Sequence, residues 1–129
     1  GEKAIIGGKT GLHQFVRIGT LAMVGGLSGL RQDAPPYMIT AGAPPAKVYG
    51  INLIGLRRNG FTPESRKIIR NAFRLLYRSG LNFSDAIERI KSELEQTDEI
   101  KHLIEFFQTS KRGVARGHTT DLADINESI

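Results

Sequence analysis

The side chains best placed to do chemistry in this sequence are arginines. Arg66, Arg70, Arg74 and Arg78 recur every fourth residue, and Lys67 flanks them. On a helix that spacing puts all four on one face, where like charges repel unless an anion answers them. The wider charge pattern agrees. Residues 1–80 hold twelve Lys/Arg against three acids, and residues 81–129 hold six against ten. A basic first part calls for an anionic ligand or partner: a nucleic acid, a phosphate-bearing small molecule or an acidic protein. Few aromatics lie near the arginine row and no nucleic-acid motif is present, which weakens the first of these.

Other chemistry is excluded by type. With no cysteine among 129 residues there is no disulfide framework, thiol nucleophile or cysteine-ligated metal. The three histidines, His13, His102 and His118, are too scattered to suggest a metal cluster, and neither His102 nor His118 has a functional case. No apolar run approaches the roughly 20 residues that span a bilayer.

The elements that must position these residues come in two kinds. Ile6, Leu12, Ile18, Val24 and Leu30 are spaced by six, and Ala4, Thr10, Val16, Ala22 and Ser28 sit two positions before them. A period of six fits neither a helix nor simple strand alternation. It fits a triangular β-solenoid with one aliphatic side chain per face pointing to the axis. Asp33-Ala34-Pro35-Pro36 reads as a corner and Tyr37–Ala41 as a last strand. Gly42–Val48 reads as a loop leading out. A helix begins at Thr62-Pro63-Glu64, carries the stripe Ile68, Ile69, Ala72, Phe73 and Leu76, and ends at Ser79-Gly80. Further helices are expected from Ser84 and from about Thr97. Short loops between them predict an antiparallel bundle. The residues after Lys111 lack periodicity and read as a mobile tail.

Four segments together resemble the UDP-N-acetylglucosamine acyltransferase family, which begins lipid A biosynthesis. They are Gly7–Phe15 with its His-Gln-Phe, Gln32–Tyr37, Gly50–Arg58 followed by Gly60-Phe61, and Arg70–Gly80. The resemblance implies a left-handed parallel β-helix of hexapeptide repeats, truncated here, over residues 1–50. A C-terminal antiparallel helical domain would span 51–112, with a mobile tail over 113–129. It implies transfer of an R-3-hydroxyacyl chain from acyl carrier protein to the glucosamine 3-hydroxyl of UDP-N-acetylglucosamine. The enzyme would be a cytoplasmic homotrimer that needs no cofactor and no metal.

The resemblance also implies roles by residue. His13 and Gln14 match a pair beside the nucleotide-sugar and acyl pocket. Asn52 matches an asparagine at the nucleotide and Arg58 an arginine at the diphosphate. Gly26 matches the position that limits acyl length, and Arg70, Arg74 and Arg78 match the face that docks acyl carrier protein. Ile54 and Asn59 stand where the family often has an acid and a basic residue. Pro44-Pro45 replaces a less rigid stretch, and residues after Gly117 have no clear counterpart. The general-base histidine of the family matches nothing here. Gly1 falls inside a repeating coil, so the sequence is expected to be the C-terminal portion of a longer enzyme, inactive alone. Two alternatives stand beside this reading: a CoA-dependent hexapeptide acyltransferase, and a non-catalytic module that binds acyl carrier protein.

Overall fold

The computed structural model describes residues 3–7, 11–12, 16–25 and 29–118. Its first part is built from short parallel strands: β1 (Ile5–Ile6), β2 (Gly11–Leu12), β3 (Met23–Val24) and β4 (Gly29–Leu30). Ile6 pairs with Val24 and Leu12 with Leu30, so one turn of chain takes three hexapeptides. An isolated parallel bridge between Ile18 and Ala34 marks the third side. The period of six thus becomes three sides of a stacked coil. The axial phase holds where burial is described: Val24 and Leu30 are buried, and Ile18 packs against them with Val16.

The next turn is shorter. Strand β5 (Met38–Ala41) pairs with β3 in parallel, Val24 against Thr40, two residues short of a full three hexapeptides. At one corner of each turn a residue takes a left-handed conformation: Lys3, Leu21 and Tyr37 have φ of 58°, 54° and 65°. None is glycine, so each corner carries backbone strain that the stacked ladder holds in place. Elsewhere the turns approach so closely that a side chain has no room. Gly19 donates its N–H to the carbonyl of Ala34 at 2.8 Å, and a Cβ there would lie 2.7 Å from Pro36 Cα.

The exit from the coil differs from the expected loop. Lys47–Ile51 forms strand β6, antiparallel to β5 with an irregular register between Ile39 and Thr40. The sheet order is therefore β1-β3-β5-β6. Helix α1 (Leu53–Arg58) follows directly and was not expected. Three longer helices come next: α2 (Pro63–Tyr77), α3 (Phe83–Glu93) and α4 (Asp98–Thr109). Thr62, Asn82 and Thr97 cap them, each side-chain oxygen accepting from the N–H three residues on, which satisfies one of the donors a helix start leaves open. The second cap sits two residues before the expected Ser84.

The apolar stripe of α2 buries Ile69, Ala72, Phe73 and Leu76. They join Ile87 and Ile90 of α3 and Ile100, Leu103 and Ile104 of α4 in one core cluster. Leu21, Tyr37, Met38 and Val48 from the coil and its exit belong to the same cluster. Packing therefore runs through the boundary expected near residue 50.

Residues 113–118 correct the expectation of a mobile tail from 113. The chain folds back, bridging Asp33 through Val114 and β6 through Gly117 in parallel. Asp33 N–H donates to Gly113 and Ala115 N–H donates to Asp33; Val48 N–H donates to Arg116 and His118 N–H to Val48. The Tyr77 hydroxyl donates to the Ala115 carbonyl at 2.9 Å. Residues 119–129 lie outside the described residues.

Two buried phenols make the fold alkali-sensitive. Burial, aided by the Glu99 carboxylate, pushes the Tyr37 hydroxyl well above the usual tyrosine range. Burial does the same at Tyr77, against a small opposing effect of Arg116. The folded chain keeps both protons where the unfolded chain gives them up, from about pH 10. Stability is thus fully present below that pH and falls above it. The urea midpoint is expected to drop between pH 9 and pH 11, with phenolate absorbance rising together with unfolding. A midpoint flat across that range would count against buried phenols.

Candidate functional site

The site is a basic groove across α1 and α2. Its position depends on α1, which begins because Asn52 caps it. The Asn52 carboxamide is buried, accepts from Gly55 N–H at 3.1 Å and donates to the Leu21 carbonyl at 3.0 Å. The cap thereby ties α1 to the coil. A Cβ on Gly55 would come within 2.9 Å of Asn52 Cγ, so glycine is what lets the helix close over its own cap. Asn59 ends the helix, donating through its side chain to the Gly55 carbonyl at 2.8 Å. Ile54 is 61% exposed, a large apolar side chain facing solvent.

The six residues of α1 bring Arg57 against the first half of α2. Arg57, Arg66, Lys67, Arg70 and Arg74 line a groove of about 400 Å³, together with Leu53, Pro63 and Asn71. No acid is among those lining residues. Arg66 is held by the Phe61 carbonyl at 2.6 Å, while Arg57, Lys67, Arg70 and Arg74 are exposed. Five cations around one shallow groove make a surface for an extended anionic partner rather than a closed pocket for a small one.

The expected site residues divide. Arg70 and Arg74 meet in the groove. Arg78 does not join them: it is the C-cap of α2, its guanidinium lies over the Phe73 ring, and it donates to the His118 carbonyl at 3.4 Å. Asn52 is buried in the cap described above. Arg58 is exposed in the last turn of α1. His13, Gln14 and Gly26 lie outside the described residues. Sequence reasoning missed Arg57 as a groove residue, because nothing periodic announces a six-residue helix; the signal was Asn52 three residues before Gly55.

Asp33 was also missed as anything but a corner. It is 2% exposed, and its carboxylate accepts from Arg17 N–H at 2.8 Å and from the Ser110 hydroxyl at 2.6 Å. Arg17 Nε lies 3.4 Å from it. The same guanidinium donates to the Phe106 carbonyl at 2.8 Å and lies over the Phe106 ring. The carboxylate thus joins the coil to the end of α4, and the Asp33 backbone joins both to the returning chain. Among the described residues, no cluster of three or more metal-ligating side chains forms, and no helix is long and apolar enough to cross a membrane.

Stacked parallel-strand coils closed by a helical cap, with a cationic groove on that cap, define the class by architecture: a hexapeptide coil with a C-terminal helical cap. Residues 33–115 match the family described as UDP-N-acetylglucosamine O-acyltransferase, domain 2, and the chain belongs to that family. It is 46% identical over 120 residues to the acyl-[acyl-carrier-protein]–UDP-N-acetylglucosamine O-acyltransferase of Burkholderia lata, covering 90% of this chain and 45% of that relative. The UDP-N-acetylglucosamine acyltransferase of Bacteroides fragilis superposes with a TM-score of 0.84 at 42% identity, over 88% of this chain and 44% of that one. The LpxA structure from Acinetobacter baumannii gives 0.84 at 38% identity, over 89% and 45%. The chain therefore spans a little under half the length of the relatives it matches.

Proposed function

We propose that this chain serves an O-acyltransferase that moves an R-3-hydroxyacyl group from acyl carrier protein to the glucosamine 3-hydroxyl of UDP-N-acetylglucosamine, the first step of lipid A biosynthesis. The groove carries the reading. On a chain of this family, five cations without an interposed acid fit an acidic carrier protein that must deliver a thioester. In the reaction a general-base histidine takes the sugar hydroxyl proton as the oxygen attacks the thioester carbonyl. A backbone N–H stabilises the oxyanion, and the carrier thiol leaves with the proton.

In this reading Arg70 and Arg74 hold the carrier, with Arg78 at the edge of that surface. His13 and Gln14 border the acceptor and the acyl chain, Asn52 and Arg58 serve the nucleotide end, and Gly26 sets room for the acyl chain. The reading also takes the coil as left-handed, the three long helices as an antiparallel bundle, and the assembly as a cytoplasmic homotrimer. The close superposition on solved members of the family supports it.

The test is binding. Replacing Arg70 and Arg74 together by Glu in the full chain is expected to weaken acyl carrier protein by at least about tenfold, mainly through slower association, with a shallower salt dependence. Fluorescence anisotropy of a labelled carrier reads both. Unchanged affinity would remove the docking role. Competition by acyl-CoA as strong as by the acylated carrier would favour the CoA-dependent alternative.

A further inference from the structure

Arg57 reaches the groove from a helix too short to hold itself. An isolated helix needs about 12–15 residues to be even marginally stable in water, and α1 has 6. Its direction is imposed from outside. Leu56 is fully buried and anchors one face. The start is fixed through Asn52. Its backbone N–H donates to the Tyr37 carbonyl at 2.7 Å. Its carboxamide nitrogen donates to the Leu21 carbonyl, and its carboxamide oxygen accepts from Gly55 N–H. Leu21 and Tyr37 are the corners with left-handed backbone, one coil turn apart in the register that pairs Met23 with Ile39. One residue thus gathers the carbonyls of two successive corners and passes their position to the helix.

We propose that Asn52 is a positioning residue for carrier docking: through the cap on α1 it aims Arg57 into the groove of α2. The proposal rests on the carrier-docking reading. Asn52 is 3% exposed, so it acts without touching the carrier. The groove draws its cations from two elements with separate anchors. Helix α2 has its own cap in Thr62 and its own buried stripe, so Arg70 and Arg74 stand without Asn52. Arg57 does not. It lies about 7.5 Å along the helix from Asn52, and a tilt at the cap moves its guanidinium away from the α2 row. The strained corners gain a purpose as well. Backbone held in a sparsely populated conformation clusters where a site must be fixed, and here it supplies the two carbonyls that seat the clasp.

A double-mutant cycle on acyl carrier protein affinity of the full chain tests this, read by fluorescence anisotropy in low salt. Arg57→Gln and Asn52→Ser are each expected to weaken the carrier about fourfold, and together no more than about fivefold, because the second change acts on an arginine already lost. Serine keeps a capping oxygen for Gly55 but is too short to reach Leu21. Gly55→Ala disturbs the same cap from the helix side, since a Cβ there would lie 2.9 Å from Asn52 Cγ, and it should match Asn52→Ser. Arg70→Gln is the reference. Its effect should multiply undiminished with that of Asn52→Ser, which a general loss of fold would not allow. With Arg70→Gln active, four results overturn the proposal and leave the docking reading standing: a silent Asn52→Ser or Arg57→Gln, effects of those two that multiply, Gly55→Ala at parent affinity, or an Arg70→Gln effect that vanishes beside Asn52→Ser. Silence of Arg57→Gln and Arg70→Gln alike removes the docking reading, and the proposal falls with it.

Discussion

Replacing Asp33 by alanine is expected to cost about 3 kcal/mol of stability, because one truncation strands groups from two parts of the chain, the coil and the end of α4. The Arg17 amide and the Ser110 hydroxyl lose their acceptor. The Arg17 guanidinium loses its counter-charge but keeps the Phe106 carbonyl. Its side chain is 44% exposed, so water screens it and the ion pair itself contributes little. The cost lies in the part-buried neutral donors, the Arg17 amide and the Ser110 hydroxyl. Asp33→Asn is the informative partner, since it keeps the shape and one acceptor oxygen. It should recover roughly half of the loss. Thermal unfolding of the two variants checks this, with the alanine variant expected about 10 °C below the parent. Hydrogen exchange at the Ala115 amide, which donates to the Asp33 carbonyl, should speed up more than exchange in α2. An alanine variant within 1 °C of the parent would show that the carboxylate joins nothing that matters.

Gly19→Ala is expected to have an effect of similar size by the opposite cause. The added methyl meets Pro36 backbone atoms and ring, neither of which is a flexible end that can swing away. Either the turn bearing Gly19 or the one bearing Pro36 must shift, and the hydrogen bond from Gly19 to Ala34 goes with it. Overpacking of this kind costs about 1–3 kcal/mol, and the lost ladder bond about 1 more. Gly50→Ala is the control: a Cβ there has nothing within 4 Å, and glycine in a strand is mildly unfavourable. The control should leave the urea midpoint unchanged or slightly raised while Gly19→Ala lowers it. Equal midpoints for both would mean that the coil turns are not in tight contact at Pro36.

What was legible in the sequence is what repeats or sits next to its partner. Ile18, Val24 and Leu30 announce the coil because each side repeats the same demand for one inward aliphatic. Thr62 and Thr97 announce helix starts because a cap acts three residues away. Long-range pairing left no such mark. Strand β6 (Lys47–Ile51) holds Val48, Tyr49 and Ile51, which suit a strand, but Gly50 interrupts them and Pro44-Pro45 sits just before; β5 supplies the pairing partner. Residues 113–118 look shapeless because their hydrogen bonds go to Asp33 and Val48, far back in the chain. The groove was half legible. Arg70 and Arg74 share a face by spacing alone. Arg57 enters only through a fold-specific turn, and Arg78 leaves only because Phe73 and the returning chain hold it.

That returning chain has a consequence for the order of assembly. Val48 donates its N–H to Arg116 and accepts from the His118 N–H, and β6 is the outermost strand of its sheet. Until residues 113–118 are in place, β6 presents bare N–H and C=O groups, the kind of open edge that recruits foreign strands. The stretch follows α4 directly, whose C-cap Ser110 bonds Asp33. The helices therefore do more than carry a groove: their completion seals the sheet, so a helix-destabilising change far from any strand can surface as aggregation.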